Sequence, residues 1–222
     1  RVDEKTALRI FDRAIELGVT FWDTANRYNG ASGNSERVIG TWFKNNPDQR
    51  RNVVLATKVC GGMDGVTPNH SRLSRGNILD SVYACLARLQ VEYIDLLYFH
   101  AWDPLTPVEE SLETIEDLVN RDLIRYFAVS KFTIDQISLY QAVAENTSSR
   151  CRVVAVQNQY DIIGGETAAQ EAQRGRGRVG RESAAGVRRR QAETRPDAQS
   201  HVRQPDVAAS SRCAGRRSHL PH

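Results

Sequence analysis

Apolar strand patterns alternate with helical patterns through the first 160 residues, and this alternation most restricts what the chain can fold into. Near-continuous apolar strands need cover on both faces, so strands separated by helices indicate a parallel sheet of βα units. Two closures fit this pattern, an open doubly wound sheet and a (β/α)₈ barrel. The strand-like runs are Val19–Asp23, Val53–Lys58, Tyr93–Phe99, Tyr126–Val129 and Val153–Val156.

The loops after the strands favour the barrel. No G-x-G-x-x-G motif follows the first strand, which weakens the case for an open dinucleotide-binding sheet. Polar residues instead follow several different strands, as they do at the carboxyl end of a barrel. We therefore predict an α/β fold of the (β/α)₈ type, incomplete, with about five of its eight βα units present.

Helical periodicity and capping signals fill the gaps between the strands. Thr106-Pro-Val-Glu109 predicts a capping box with Pro at the first helical position, and Thr133-Ile-Asp-Gln136 predicts a second helix start. A stripe with i, i+3, i+4, i+7 spacing predicts the buried face of the first helix, near residues 3–17. Its members are Ala7, Ile10, Phe11 and Ala14.

Four polar residues stand at or just beyond the ends of these strands. Asp23 ends the first strand, Tyr28 follows in the next loop, Lys58 ends the second strand and His100 the third. At one edge of a parallel sheet these groups would share a site. The set suits carbonyl reduction, because the alkoxide left by hydride transfer needs a proton donor and a neighbouring positive or hydrogen-bonding group.

Each of the four residues also has a purely structural interpretation. Asp23 could satisfy loop amides, Tyr28 could pack over the barrel rim, Lys58 could be a solvated strand end, and His100 a hydrogen-bonded rim residue. Any one of them alone would be weak support for a site. Four complementary groups at successive strand ends rarely coincide by accident, so together they favour the functional interpretation.

Several segments resemble the aldo-keto reductase family, and the resemblance covers residues 1 to about 163. Some match the region around that family's catalytic Asp and Tyr, and others match the strands that carry its Lys and His. The matching segments are Phe21-Trp-Asp-Thr-Ala25 with Tyr28, Ser35-Glu36, Ile39-Gly40, Ala56-Thr57-Lys58 and Tyr93–His100.

The resemblance implies a role for each residue of the site. Tyr28 would be the general acid, Lys58 would stabilise its phenolate, Asp23 would anchor Lys58, and His100 would orient the carbonyl. Asp23 would also border the cofactor. Tyr28 and His100 would contact the substrate, together with Trp102, although a tryptophan just after a strand serves packing as often.

Two later segments resemble those that hold the nicotinamide carboxamide in this family. Ser130, in Ala128-Val-Ser-Lys-Phe132, fits the family's strand-end Ser-Asn pair, whereas Lys131 stands where Asn is usual. Gln157, in Val156-Gln-Asn-Gln-Tyr160, would be the third carboxamide ligand. The implied cofactor is NADPH; NADH stays open, because the loop that would contact the adenosine 2′-phosphate is not found in this sequence.

From Gly164 onward neither the periodicity nor the resemblance continues. Residues 166–222 contain 12 arginines, no lysine and no Phe, Tyr, Trp or Ile. Such a segment buries too little apolar surface to offset its ordering entropy. We therefore predict a partial barrel over residues 1–163 and a disordered tail over residues 164–222. The GC-rich codons of Ala, Arg, Gly and Pro suggest a frame change or a miscalled gene end, and a genuine Arg-rich tail is the rival explanation.

The cysteine spacing and the hydropathy of the chain limit the partners and the cellular compartment that we expect. Cys60, Cys85, Cys151 and Cys213 form no CxxC pair and no metal-ligand spacing with a His, which predicts reduced thiols in a cytoplasmic protein and no metal site. No apolar run is long enough to span a membrane, and no signal-peptide pattern opens the chain. Because the first residue is Arg, we expect the chain to begin inside a longer product.

The family activity would be NADPH-dependent reduction of a small aldehyde or ketone to an alcohol. Turnover by this chain is a separate question, since missing units would leave open strand edges that favour aggregation.

Two other classes of function stay open. One is a regulatory relative similar to potassium-channel β-subunits, which share the fold and the catalytic residues. The other is nucleic-acid binding through Arg174–Arg178, which the lack of interleaved aromatic residues disfavours.

Overall fold

A computed structural model describes residues 2–63, 70–147 and 149–159. The predicted tail, residues 164–222, lies outside the described residues. The helices are α1 (Glu4–Glu16), α2 (Tyr28–Ala31), α3 (Asn34–Asn45), α4 (Arg75–Leu89), α5 (Val108–Asn120) and α6 (Ile134–Thr147), with short 3₁₀ helices at Pro47–Asn52 and Ser149–Cys151. The strands are β1 (Phe21–Asp23), β2 (Val54–Val59), β3 (Ile94–Phe99), β4 (Ile124–Ser130) and β5 (Val153–Gln157).

The described strands form one sheet in the order β1-β2-β3-β4-β5, and every neighbouring pair is parallel. The register aligns Asp23 with Ala56 and Lys58 with Tyr98. The sheet curls into a half-barrel flanked by helices. This confirms the prediction of an α/β fold with an incomplete (β/α)₈ barrel.

The outer face of the sheet packs against the helices and forms the main core. Its side chains alternate along each strand with those of the concave face, as the pleat requires. Burying one such aliphatic or aromatic side chain contributes about 1.5–3 kcal/mol relative to leaving it exposed. The strand residues in this core include Trp22, Leu55, Val59, Leu97, Phe99, Phe127 and Val129.

Helix α1 contacts this core through a stripe that includes Phe11 and Ala14 of the predicted one, which confirms the prediction for these two residues. Phe11 stacks on Trp22 with ring centroids 4.9 Å apart, and Leu8 and Ile15 flank it on the contact face. The expectation for Ile10 was wrong, since its side chain is 52% exposed. A contact face centred on Phe11 reaches the positions three before and four after it, and the preceding residue lies about a quarter turn away.

One of the two capping predictions is confirmed and the other is wrong. At α6 the Thr133 hydroxyl accepts the N–H of Gln136 at 3.3 Å, and the Gln136 side chain accepts the N–H of Thr133 at 2.9 Å. At α5 the residue before the helix is Pro107, which has no side chain to cap it. The Thr106 hydroxyl instead donates to the buried carboxylate of Asp103, in the loop before the helix, at 2.6 Å.

The concave face is mixed in character. Ala56, Leu96, Tyr98 and Ala128 are buried there in a second, smaller cluster. Other residues of the same face are open to solvent, with Phe21, Val54 and Tyr126 at 52%, 43% and 60% exposed.

No helix within the described residues is long and apolar enough to cross a membrane. Cys60 and Cys85 are free thiols, as predicted. Cys213 lies outside the described residues.

Candidate active site

The Lys58 ammonium is the centre of the predicted site. Although Lys58 is fully buried, its Nζ donates to both carboxylate oxygens of Asp23, at 2.7 and 2.6 Å. It also donates to the Thr24 carbonyl at 2.8 Å and to the Tyr28 hydroxyl at 3.0 Å. The interpretation of Lys58 as a solvated strand end is therefore wrong, because its ammonium is enclosed by acceptors from β1 and the loop that follows.

A buried ammonium needs this enclosure. Removing an unpaired ammonium from water costs several kcal/mol, and a carboxylate with further hydrogen bonds offsets that cost. Asp23 supplies the opposite charge and keeps 27% of its side chain exposed. The rings of Tyr28 and Tyr98 add cation–π contacts, with their centroids 4.9 and 5.6 Å from Nζ.

Tyr28 occupies the solvent side of this cluster. Helix α2 is a single tight turn in which Asn29 and Gly30 adopt positive φ angles of 62° and 77°. That turn presents a side chain that is 37% exposed, and its hydroxyl lies 3.4 Å from Asp23 Oδ2. The phenol therefore links the buried ammonium to the outside of the sheet edge.

His100 closes the other side of the phenol. Its backbone N–H donates to the Val59 carbonyl at 2.9 Å, which continues the pairing of β3 with β2 beyond the strand. Its ring meets the ring of Tyr28 edge to face, with centroids 6.0 Å apart. Burial, and then the positive charges of Lys131 and Lys58, lower the pKa of His100 from 6.5 to about 4. The imidazole is therefore neutral at pH 7, with one nitrogen as donor and one as acceptor.

The structure brings together two of the three residues predicted to hold a carboxamide. Ser130 and Gln157 are partners in the register of β4 with β5, at the same sheet edge as Lys58. Ser130 is buried and Gln157 is half-buried. Lys131 is exposed, adopts a φ of 58° and binds the Gln157 carbonyl through its backbone N–H at 3.1 Å. The charge of Lys131, however, acts on His100.

Trp102 lies half-buried in an aromatic cluster. Its ring meets Phe132 at 5.6 Å and Tyr140 at 5.8 Å, both edge to face. These contacts fix the indole, which follows β3, against the loop after β4 and the middle of α6. Packing therefore accounts for much of this side chain, and its contact with a substrate stays a prediction.

Sequence reasoning missed two groups of the site. The Thr24 carbonyl binds the ammonium, and no side-chain pattern could have revealed a main-chain acceptor. Tyr98 is the other, a buried residue whose pKa is raised above 10 by burial and by the charge of Asp23. Strand alternation would have found Tyr98, since it stands two residues before His100 on the face that carries Lys58.

The arrangement has the parts of a proton-donating site. A phenol at the surface contacts a buried ammonium, and a neutral imidazole stands against the phenol ring. No group of three His, Cys, Asp or Glu side chains that could hold a metal ion occurs among residues 2–63, 70–147 and 149–159.

Comparison with known proteins agrees with this description. The model of the aldo/keto reductase family matches residues 1–174. Aldo-keto reductase AFTS1 of Alternaria alternata is 32% identical over 184 residues, covering 73% of this chain and 50% of the relative. Aldo-keto reductase YhdN of Bacillus subtilis is 38% identical over 143 residues, or 64% of this chain and 42% of the relative.

A third relative has a different description. The probable voltage-gated potassium channel subunit beta of Oryza sativa subsp. japonica is 29% identical over 163 residues, covering 73% of this chain and 48% of the relative. The chain thus spans about half the length of the relatives that it matches. The family match over most of the sequence, with the half-barrel and its strand-end residues, establishes that this chain belongs to the aldo/keto reductase family.

Proposed function

We propose that this chain carries the proton-transfer part of an NADPH-dependent carbonyl reductase site, acting on an aldehyde or ketone. The observation that carries the proposal is the continuous contact from Asp23 through the Lys58 ammonium to the Tyr28 hydroxyl. This contact ends in a phenol that is partly open to solvent, where a carbonyl oxygen can approach.

Tyr28 is the proposed general acid. It gives its hydroxyl proton to the oxygen of the reduced carbonyl, and the phenolate that remains faces the ammonium of Lys58 at 3.0 Å. An adjacent positive charge favours the ionised form of a phenol, so Lys58 assists the transfer. Asp23 keeps the ammonium charged and fixed, because its two oxygens lie 2.6 and 2.7 Å from Nζ.

His100 is the proposed orienting group. A neutral imidazole can donate one N–H to the carbonyl oxygen without competing for its proton. The edge-to-face contact with Tyr28 would place the donor of His100 and the acid of Tyr28 on the same oxygen. Trp102 is kept as a candidate for the substrate side of the pocket.

The side chains at the ends of β4 and β5 fit a nicotinamide carboxamide. Within the described residues, the Ser130 hydroxyl and the Gln157 amide make no hydrogen bond with the protein, although they are adjacent and at least partly buried. A carboxamide needs both a donor and an acceptor, and these two groups provide them. Reduced nicotinamide would supply the hydride when bound. Lys131 is kept as a third candidate ligand.

Turnover is the direct test. We expect NADPH oxidation with an aromatic aldehyde, and a loss of about 10²- to 10⁴-fold in kcat for Tyr28→Phe, the range for a proton-transfer group. Tyr83→Phe is the matched control, because Tyr83 is similarly exposed at 43% and lies on α4, away from the site. Equal turnover by Tyr28→Phe and the wild type would remove Tyr28 from the role of acid.

Binding of the cofactor is tested separately from chemistry. A native-state ligand adds RT ln(1 + [L]/Kd) to the stability, about 2.7 kcal/mol at a hundredfold excess over Kd. We expect the midpoint of thermal unfolding to rise with NADPH and to rise less for Gln157→Leu. A midpoint that does not move with NADPH would contradict the assignment of the cofactor to this chain.

A regulatory role is the second candidate, favoured by the similarity to the rice channel β-subunit. In that case the chain would bind NADPH and be stabilised by it, and turnover with aldehydes would be absent. The combination of the two experiments separates the candidates, since binding without turnover supports regulation and binding with turnover supports the reductase.

A further inference from the structure

A second polar cluster lies on the other face of β2, directly behind Lys58. Glu36, in the first turn of α3, is fully buried. Its Oε1 accepts the hydroxyl of Thr57 at 2.6 Å, and its Oε2 accepts Nε of Arg88 at 2.6 Å. We refer to Glu36, Thr57 and Arg88 as the Glu36 cluster. It joins α3, β2 and α4 around one buried carboxylate.

The Glu36 cluster is connected to the ammonium site by two short routes. Thr57 precedes Lys58, so its side chain holds the β2 backbone from the outer face while Lys58 extends from the concave face. The second route runs through Ser35, whose hydroxyl accepts that of Thr24 at 2.8 Å. Thr24 in turn offers its carbonyl to Lys58 Nζ at 2.8 Å. One turn of α3 thus braces both the backbone next to Lys58 and an acceptor of its ammonium.

Two glycines leave the space that Arg88 occupies. A Cβ atom at Gly33 would stand 2.5 Å from Cδ of Arg88, and one at Gly40 would collide with the Arg88 and Leu89 backbone. The collision at Gly40 would push α4 away from α3, because it is with backbone atoms, whereas the one at Gly33 would displace the Arg88 side chain. Cys85 adds a contact from its Sγ to Nη2 of Arg88 at 3.4 Å. Burial, and then the charge of the Glu36 carboxylate, hold the pKa of the Cys85 thiol well above its usual value.

Stability alone gives a poor account of such a cluster. Replacing a buried ion pair by apolar residues of similar volume is often neutral or stabilising, so a buried pair is weak support for a stabilising role. A buried pair does, however, fix a single arrangement of the elements that it joins. We propose that Glu36, clamped by Arg88, is a positioning residue for Lys58, acting through Thr57 and through the Ser35–Thr24 contact. This inference rests on the proposed function of Lys58.

The first measurement observes Lys58 directly and needs no turnover. A buried, hydrogen-bonded ammonium gives a proton–nitrogen NMR signal, which Lys58→Met would identify by its loss. Thr57→Val removes only the hydroxyl that Glu36 accepts, and Glu36→Gln removes its charge. We expect both variants to broaden or shift the Lys58 signal and Thr57→Ser to keep it. Thr114→Val is the matched control, because Thr114 is also buried and its hydroxyl bonds a carbonyl on α5, away from the site.

The second measurement separates positioning from stability. We expect Thr57→Val and Glu36→Gln to lower kcat about tenfold to a hundredfold, the scale of a misplaced catalytic group, with less than about a threefold change in KM. Urea unfolding measures the stability lost, which Thr114→Val should match without either effect. An unchanged Lys58 signal and an unchanged kcat in a destabilised Thr57→Val would overturn the proposal.

The two proposals fail in distinguishable ways. If the wild type shows no turnover, the proposed function fails, and the NMR signal alone decides whether the Glu36 cluster positions Lys58. If Thr57→Val does not fold, Glu36→Gln and Thr57→Ser provide the comparison. An identical Lys58 signal in Glu36→Gln and the wild type would then contradict the positioning role.

Discussion

The two ends of the sheet each carry a partly buried ion pair, and the pairs differ in what else they contact. At the amino end, Arg50 Nη2 lies 2.7 Å from Asp95 Oδ2, and the two side chains are 12% and 20% exposed. At the carboxyl end, Lys58 Nζ lies 2.6 Å from Asp23 Oδ2, with exposures of 0% and 27%. Distance and burial therefore do not distinguish the Arg50–Asp95 pair from the pair in the proposed site.

The remaining hydrogen bonds do distinguish them. Arg50 also donates to the carbonyls of Val53 and Tyr93, and Asp95 accepts the N–H of Leu55, so this pair joins the starts of β2 and β3 through their main chains. Lys58 instead gives its further bonds to one carbonyl and to the phenol of a partly exposed tyrosine. In a barrel, the carboxyl end carries chemistry and the amino end carries stability, and the two pairs follow that division.

The largest effect is expected at the carboxyl end. We predict that Lys58→Met lowers turnover by about 10²- to 10⁴-fold, because the phenolate of Tyr28 loses its adjacent positive charge. The free energy of unfolding should fall by less than the roughly 3–5 kcal/mol that breaking a fully buried pair costs, since methionine fills the space and Asp23 is exposed enough to stay hydrated. Enzyme kinetics and urea unfolding of the same preparation measure the two. A large loss of stability would break the proposed contrast between the ends.

The opposite pattern is expected at the amino end. We predict that Asp95→Asn lowers the free energy of unfolding by about 2–3 kcal/mol, because Arg50 loses a charged partner in a site that is mostly buried. Turnover per folded molecule should be unchanged. Urea unfolding with kinetics normalised to the folded fraction measures both. A fall in kcat for the folded variant would mean that the amino end is not purely structural.

The pH dependence of stability sharpens the comparison at the site itself. The pKa of His100 is about 4 in the folded chain against 6.5 for an ordinary histidine, so the unfolded chain binds the extra proton between these values. Stability should therefore fall as the pH drops from about 6.5 towards 4, and His100→Gln should lose less over that range. Thermal unfolding at a series of pH values measures this. Parallel losses in both proteins would rule out His100 as a source of the effect.

The smallest effect is expected for an ion pair that is exposed and lies away from the proposed site. Arg13 and Glu16 on α1 lie 2.7 Å apart, with side chains 64% and 61% exposed. We predict that Arg13→Ala changes the free energy of unfolding by less than about 0.5 kcal/mol. Urea unfolding measures it, and the result sets the baseline for both buried pairs. A loss as large as that of Asp95→Asn would show that burial is not what separates them.

The order of helices and strands was predictable because the sequence patterns that indicate them are local. Each strand begins and ends within about two residues of its apolar run, and alternation with helices left few topologies to choose from. The failures occurred where tertiary contacts decide. Ile10 belongs to the right helix but faces away from the core, and Thr106 bonds Asp103 rather than the helix end.

The candidate site likewise combines residues that the sequence could group with contacts that only packing decides. Asp23, Lys58 and His100 could be grouped from the sequence, since the carboxyl ends of parallel strands meet at one edge. The contact of Tyr28 with Lys58 depends on the tight turn of α2, and the packing of Trp102 depends on residues 30 and 38 positions later. Contacts of this kind leave no pattern in the local sequence.

The sequence by itself determined the layout of the half-barrel and the residue types at the carboxyl edge of its sheet, because apolar periodicity and strand ends are properties of short segments. Only the tertiary structure decided that Lys58 is enclosed rather than solvated, and that Glu36 meets Arg88, 52 positions away, behind it. Burial and long-range hydrogen bonds depend on the packing of several elements at once. They set the electrostatics of the site, which residue types alone do not specify.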